Sequence, residues 1–518
     1  MFSSITTGAV FGIESFLMQV ETDITDGLPS FSMVGFLSGE VKEAGERVRV
    51  ALRNAGAAVP NVRITVNFSP ADIQKRGMVV DLPVAVGILA AMDILPQHSL
   101  RGILFAGELG LNGEVKPVRG VLPIVRKAAG SGITTCVLPF ANAGEGAVIP
   151  NVKVVGIRSL RQVIRYLLEP EEGRDRLIEP SHVDIDALFR DAGRDSRFDF
   201  ADIHGQDSAK RALEVAAAGF HNTLLIGPPG SGKSMLAKRM AGIMPPFTPE
   251  ESMEVSSIYS VAGLLPPGQA LLTQRPLLSP HHSITRTALA GGGVVPTPGV
   301  ITLADRGVLF LDELPEFGRE NLNLLRQPLE EREIRISRIS GTFVYPARCL
   351  VLAAMNPCPC GYYPDPQKCR CTQAEIDRYQ SRISGPILDR IDLCAETPRV
   401  NADALLRGRE EEHSAAVRER VMKARGMQEE RFRGTNFRYN SEMDAAAVEK
   451  YCPLGKEAAR LMRDVFEKLQ LSARAYHRTL KTARTIADLE GTDRITEDDL
   501  AEAFGYRVNE HSLRKAGA

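Results

Sequence analysis

Several patterns of apolar and polar positions follow one another along the chain. Asn61-Val-Arg-Ile-Thr-Val-Asn-Phe68 alternates between the two, the period of a half-buried strand. Leu82 to Leu95 is largely apolar with Pro83 at its start, which predicts a buried helix. Gly132–Leu138 and Val152–Ile157 are short strand candidates. With many Gly and Pro breaks between them, these elements predict a mixed α/β domain over residues 1–168. From Glu169 to about Arg197 charges crowd together, predicting a linker over 169–197 with one short helix at Ile185–Phe189. Strands and helices then alternate over 198–398, the pattern of a parallel sheet covered on both faces. Over 399–518 the period is helical. Leu480, Ala483, Ile486 and Ala487 share one helix face, and Thr496-Glu-Asp-Asp is an N-terminal cap for a final helix.

Composition narrows the function without naming it. A length of 518 residues predicts three or four domains at roughly 150 residues each. The 63 basic and 64 acidic residues leave a net charge of −1, so contact with nucleic acid has to come from local patches. Aromatics are 6% and tryptophan is absent, which argues against a base-stacking platform. No run reaches the roughly 18 apolar residues of a membrane helix. Val79–Leu95 carries Asp81 and Asp93, and the first twenty residues lack a basic start. The expectation is a cytoplasmic protein with no membrane partner. Eight cysteines are too few for a disulfide scaffold, and four of them fall between Cys358 and Cys371.

The chemistry is concentrated after residue 220. Thr223-Leu-Leu-Ile226 runs into Gly227-Pro228-Pro229-Gly230-Ser231-Gly232-Lys233-Ser234, and Met235 opens a helix-like stretch. This is the P-loop pattern in its strand–loop–helix setting. Glycines at 227, 230 and 232 let backbone N–H groups turn inward toward phosphate oxygens, and the helix N-terminus adds its dipole. Lys233 is then the charge for the β- and γ-phosphates of ATP, and Ser234 a ligand for Mg2+. Gly307-Val-Leu-Phe-Leu-Asp312-Glu313 is an apolar strand ending in two acids, Asp312 facing Mg2+ and Glu313 a water. Another buried strand, Cys349–Met355, ends at Asn356, the candidate sensor of the γ-phosphate. Arg390, in Ile387-Leu-Asp-Arg-Ile-Asp392, is a candidate to complete a neighbouring subunit's phosphate site, a role that requires a ring. Arg474, in Leu471-Ser-Ala-Arg474, is a sensor-2 candidate in the helical lid, with a surface salt bridge as its alternative.

Further segments carry a resemblance: His204-Gly-Gln206, Gly219-Phe-His-Asn222, Pro280-His-His282, Ala290-Gly-Gly-Gly293, Asn356-Pro-Cys-Pro-Cys-Gly361 and Leu471-Ser-Ala-Arg-Ala-Tyr-His477. With the motifs above, the chain resembles the Mg-chelatase-like AAA+ ATPases of the ComM/YifB type over nearly its whole length. The resemblance implies an α/β AAA+ core with a helical lid, preceded by a Lon-protease-like α+β domain. It implies a homo-hexamer using ATP and Mg2+, and DNA branch migration during natural transformation. A wider set including the MCM helicases carries a β-hairpin before the sensor strand. Here Arg332–Arg338, a turn through Gly341 and Thr342–Tyr345 fit it, and by similarity Arg335 and Arg338 face DNA in the channel. A solvated hairpin is the alternative. Gly291–Gly299 resembles the helix-2 insert of this set, which would also face the pore. In the Lon-like domain Asp81 falls at the serine position and Leu122 near the lysine position, while Ser69 and Lys75 are wrongly spaced. A carboxylate cannot replace an activated serine, so no protease is expected. The other function compatible with the resemblance is a chelatase-type or chaperone-like ATPase that remodels a protein partner.

Cys358, Cys360, Cys369 and Cys371 place four thiols in fourteen positions, a tetrahedral Zn2+ set whose charge Lys368 and Arg370 would offset. Packed thiols and redox regulation are the alternatives. His281 and His282 are expected to be structural or inter-subunit contacts, since no nearby carboxylate completes a ligand set.

Overall fold

The computed structural model describes residues 1–57, 59–71, 74–75, 77–190, 198–293, 296–338, 341–399 and 411–516. They form two compact units, Met1–Asp191 with Thr248–Thr273, and Ala192–Phe247 with Gln274–Ala518.

The first unit is built on a seven-stranded mixed sheet. Its order is Ser30–Val34, Arg63–Ser69, Glu14–Thr25, Phe2–Phe11, Ile103–Phe105, Thr135–Pro139 and Lys153–Ile157. Phe2–Phe11 and Glu14–Thr25 pair antiparallel, and the last three strands run parallel. The alternation at 61–68 appears as the strand Arg63–Ser69, with Ile64, Val66 and Phe68 buried. The apolar run after residue 80 is the helix Asp81–Ala91, buried along its whole length. It packs on the two longest strands, closely enough at Gly87 that a Cβ there would lie 2.7 Å from Thr22 Oγ1. Gly87 also accepts a hydrogen bond from Ser3 Oγ at 2.7 Å.

Asp81 opens this helix with a fully buried side chain. Arg47 donates to both its oxygens, Nε to Oδ2 and Nη2 to Oδ1, each at 3.0 Å, and the Leu109 N–H donates at 3.2 Å. Burial pushes the Asp81 carboxyl up, and Arg47 works against that shift. Leu122 is buried among apolar side chains, and the Lys75 ammonium donates to the Pro70 carbonyl.

The charged stretch after Glu169 is not bare chain as far as residue 190. It holds the helices Glu171–Leu177 and Ile185–Arg190. Arg174 is buried and donates to the carbonyls of Glu169, Leu167 and Ser99, at 3.1, 3.2 and 3.4 Å. Residues 191–197 of the expected linker lie outside the described residues. A second difference lies inside the 198–398 stretch, where Thr248–Thr273 belongs to the first unit. Its helix Pro249–Ala262 starts at a capping box, Thr248 accepting from the Glu251 N–H and Glu251 from the Thr248 N–H. Ser260 bonds Glu145 and accepts from the Gly120 N–H at 3.1 Å, while Ala270 and Leu271 join the first core. Its buried positions, Glu251, Ser252, Val255, Ser256, Ile258 and Ser260, are mostly polar, so this excursion leaves no apolar period in the sequence.

The second unit contains an all-parallel five-stranded sheet, ordered Leu277–Leu278, Val308–Leu311, Leu350–Met355, Thr223–Ile226 and Leu393–Glu396. The inner strands are buried on both faces, hence their unbroken apolar runs. The later part is helical: Ser414–Arg431, Ala445–Tyr451, Lys456–Leu469, Ala473–Leu489 and Glu497–Ala516. Glu333–Arg338 and Gly341–Pro346 form the expected hairpin, whose turn residues 339–340 lie outside the described residues. Gly291–Gly292 and Thr297–Pro298 pair as a second, shorter hairpin. No helix among the described residues is long and apolar enough to cross a membrane.

Arg47→Met strands the Asp81 carboxylate in an apolar interior, at an expected cost of about 3–5 kcal/mol. Thermal unfolding should show that loss, and Arg47→Met combined with Asp81→Leu should recover most of it. Equal instability of the single and double variants would contradict the pairing as the cause.

Candidate active site

The strand Thr223–Ile226 lies between Leu350–Met355 and Leu393–Glu396, and this placement fixes the loop that follows it. Gly230 and Gly232 take left-handed backbone, φ 75° and 90°, and the helix Lys233–Ile243 begins directly afterward. The Lys233 ammonium has three protons and three acceptors: the carbonyls of Gly227 at 2.7 Å and Pro228 at 2.9 Å, and Asn356 Oδ1 at 3.2 Å. Burial lowers its pKa, and the charges of Asp312 and Glu313 oppose that shift. An ammonium held this way can exchange carbonyl oxygens for those of a polyphosphate.

Two residues with no assigned part in the sequence reading brace the loop. Gln206, in left-handed backbone at the start of helix Asp207–Gly219, donates to the Ser231 carbonyl at 3.0 Å and to the Pro398 carbonyl. Thr397 shares a hydrogen bond with Ser231 Oγ at 3.0 Å. Gln206 lies within His204-Gly-Gln206, a segment that marks the resemblance without showing a role. Thr397 has no local signal.

Ser234 Oγ donates to Asp312 Oδ2 at 2.7 Å, so a hydroxyl and a carboxylate from two elements converge on one point. Hard oxygen ligands paired this way suit Mg2+, which takes few protein ligands and keeps several waters. Glu313 follows in left-handed backbone, φ 52°, its N–H donating to Asp312 Oδ1 at 3.0 Å. That conformation is costly for a residue with a Cβ and turns the carboxylate away from the strand axis. The Glu313 carboxylate meets His282 Nδ1 at 3.4 Å. This corrects the expectation for the histidine pair, because a carboxylate does stand beside it, brought there from a different strand.

Arg390 and Arg474 come together elsewhere in the second unit. Both bind Glu330, Arg474 Nη2 to Oε1 at 2.6 Å and Arg390 to Oε2. Arg390 and then Arg474 hold the Glu330 carboxyl below the usual range. Asn222 supports this corner, its side chain donating to the Arg390 carbonyl at 3.2 Å and accepting from the Val351 N–H at 2.9 Å. Arg390, Arg474, Glu330 and Asn222 line a cavity of about 520 Å³ whose other walls mix Arg332, Arg348 and Lys481 with Asp389, Asp392 and Glu442. None of Gly227–Ser234 lines it.

On the hairpin Arg335 is exposed and paired with Glu333, Nε to Oε1 at 2.6 Å. Arg338 Nε donates to the Gly293 carbonyl at 3.3 Å, and Tyr345 OH to the Pro296 carbonyl at 2.7 Å. The hairpin and the glycine-rich loop therefore pack as one piece. Cys358, Cys360, Cys369 and Cys371 also converge, with all four sulfurs within 4.8 Å of one another.

Comparison with known proteins is consistent along the chain. The family model for magnesium chelatase, subunit ChlI, matches residues 199–405. The model for subunit ChlI of Mg-chelatase matches 20–142, and that for the ChlI C-terminal part 411–507. Competence protein ComM of Haemophilus influenzae is 42% identical over 513 residues, 98% of this chain and 97% of the relative. The chain belongs to the Mg-chelatase-like AAA+ ATPases of the ComM/YifB type. The YifB protein of Salmonella typhimurium is 40% identical over 510 residues, with 98% and 97% covered. Lon protease 2 of Bacillus subtilis is 26% identical over 199 residues, 34% of each chain. Membership in the ComM/YifB family makes this an ATP-hydrolysing enzyme with an α/β AAA+-type core.

Two glycines of the loop separate crowding from strain. A Cβ at Gly227 would lie 2.1 Å from Thr397 Oγ1 and 2.3 Å from its carbonyl oxygen, whereas at Gly230 there is open space. Gly227→Ala should abolish binding of a fluorescent ATP analogue. Gly230→Ala, facing only left-handed strain of about 1–2 kcal/mol, should weaken it. Equal affinities for the two variants would contradict the packing of Gly227 on Thr397.

Proposed function

We propose that this protein is a homo-hexameric ATPase ring that moves DNA, a branch-migration motor of recombination and natural transformation. The observation that carries the ring is the arginine pair on Glu330. Two guanidiniums suited to a γ-phosphate converge in a cavity, lined by charges of both signs, that the P-loop of the same chain does not line. In a ring they complete the site of the next protomer, where such an arginine is worth roughly 10³–10⁵ in rate. Lys233 holds the β- and γ-phosphates within the loop Gly227–Ser234 and Met235. Ser234 and Asp312 ligate Mg2+, Glu313 activates the attacking water and Asn356 senses the γ-phosphate.

For DNA the support is the hairpin. Arg338 and Arg335 stand exposed beside a second loop rich in glycine, and repetition around a ring concentrates positive charge that the whole chain lacks. The name of the Haemophilus relative, a competence protein, agrees with DNA as the substrate. The first unit, Lon-protease-like under this proposal, serves as a scaffold or DNA-binding module. Asp81 is tied to Arg47 and Leu122 is apolar, so neither member of a hydroxyl–amine pair is present at those positions. One Zn2+ in the four-thiol loop is part of the same proposal, with Lys368 and Arg370 offsetting its charge. The second reading, a chelatase-type remodeller of a protein partner, is favoured by the three magnesium chelatase segments.

ATP hydrolysis and strand displacement on branched DNA separate the two. The motor predicts hydrolysis stimulated by DNA, with binding that falls steeply as salt rises. Glu313→Gln should keep nucleotide while turnover drops about 100-fold or more. Arg338→Ala should lose DNA stimulation and strand displacement. Normal displacement by Arg338→Ala would remove the hairpin from the mechanism, and hydrolysis indifferent to DNA but dependent on a second polypeptide would favour the remodeller.

A further inference from the structure

The four-thiol loop departs from the strand that carries Asn356. Leu350–Met355 ends in Asn356, Pro357 follows, and Cys358 is already the first thiol, fully buried. Cys358 Sγ lies 3.4 Å from Cys360 Sγ and 3.8 Å from Cys369 Sγ, and the last two are 3.6 Å apart. Zn–S bonds of about 2.3 Å at tetrahedral angles separate sulfurs by about 3.8 Å. Disulfide partners stand about 2.05 Å apart, and every cysteine here is free. The thiols are therefore spaced for one shared metal.

We infer that zinc at these thiols fixes the nucleotide cradle, by clamping the loop that packs on both Pro229 and Asn356. The inference rests on the loop binding zinc. Gly361, at the loop's tip in left-handed backbone, is so close to the P-loop that a Cβ would lie 2.5 Å from Pro229 Cδ. The same Cβ would be 3.7 Å from Asn356 Cγ, the side chain whose Oδ1 accepts a hydrogen bond from Lys233. The loop thus forms a wall behind the two groups that position the ammonium.

Apart from the Arg399 guanidinium, 4.7 Å over the Tyr362 ring, few contacts from outside the loop hold that wall in place. Between residues 359 and 372 Gly361 is the one buried position, so this limb has no apolar core of its own. Its internal bonds are local: the Cys369 N–H to the Asp365 carbonyl at 2.8 Å, and the Gln367 N–H to Asp365 Oδ1 at 2.9 Å. A short segment without a core needs a cross-link to keep one conformation, and a metal's binding energy supplies it as folding energy. The clamp reaches one element further. Cys371 adjoins Thr372, the capping residue of helix Gln373–Gln380, and at the far end of that helix Gln380 Nε2 donates to the Pro357 carbonyl at 2.8 Å. Metal, helix and strand end close a ring of contacts around Asn356.

The test compares full-length protein as purified, after zinc removal with Mg2+ restored, and as Cys369→Ser/Cys371→Ser and Gly361→Ala variants. Elemental analysis should give about one zinc per chain, and Co2+ substitution should give the visible absorption of a tetrahedral thiolate site. Affinity for a non-hydrolysable ATP analogue should fall about tenfold on zinc removal and return when Zn2+ is added back. The double cysteine variant should lack zinc and show the same weak binding. Gly361→Ala keeps all four thiols, so it should retain zinc yet bind the analogue more weakly, which distinguishes displacement of the wall from general unfolding. Zinc-free protein that binds the analogue as tightly as the zinc form would overturn the coupling while leaving the metal site standing. Absence of both bound zinc and the Co2+ spectrum would overturn the metal site itself.

Discussion

A buried ammonium is tolerated only where its protons are bonded, and Lys233 meets that condition with two carbonyls of its own loop and one amide from the neighbouring strand. The rest of the second unit follows from this arrangement. The strands Thr223–Ile226 and Leu350–Met355 have to be adjacent and in register for Asn356 to reach Lys233, and they pair in parallel along their length. Gly227 has to pack on Thr397 for its carbonyl to face inward, which requires Leu393–Glu396 on the other side. Buried sheet, loop and ammonium are one mechanical object. Neither Arg390 nor Arg474 belongs to this object. Arg390 and Arg474 are occupied by Glu330 in a cavity lined by none of the P-loop. The division of cations between the two places is the physical basis for proposing that a protomer grips ATP and its neighbour helps to break it.

Much of this object is legible in the chain because its devices are local. Glycines two and three positions apart before Lys-Ser specify a phosphate cradle, and an apolar run ending in Asp312-Glu313 specifies a strand tip. The pairing of Ser234 with Asp312 follows once both strands lie in one sheet. The illegible parts are bonds between distant positions with no periodicity. Gln206 and Thr397 reach the P-loop from elements far away in sequence, and Glu330 gives no hint in its own helix that it will bind two arginines. His282 is the same kind of case, since sequence neighbours alone do not reveal Glu313 beside it.

The first unit shows a different limit. The strands Arg63–Ser69, Thr135–Pro139 and Lys153–Ile157 and the buried helix are readable from the chain, whereas Phe2–Phe11 and Glu14–Thr25 are not among the sequence expectations. The helix Pro249–Ala262 belongs with these elements although it interrupts the ATPase core in sequence. Its capping box would serve a helix on either core, and the bonds of Ser260 with Glu145 and Gly120, with Ala270 and Leu271 in the first core, show where it lies. Charge density misleads in the same way at Arg174, where a residue from an apparently solvated stretch is buried on three carbonyls. A guanidinium has enough donors to satisfy buried carbonyls, so charge alone does not mark a linker.

The central claim, that one protomer's arginines complete another's P-loop, is tested most directly by mixing two inactive chains. Lys233→Ala retains both arginines, and Arg390→Ala retains the loop. Each alone should hydrolyse ATP at a small fraction of the normal rate. Mixed and allowed to reassemble, they create interfaces in which an intact loop faces an intact arginine, and hydrolysis should return to roughly a quarter of the wild-type level on statistical mixing and the expected arginine contribution. A mixture as inactive as its components, or an Arg390→Ala chain that hydrolyses ATP normally by itself, would contradict the account.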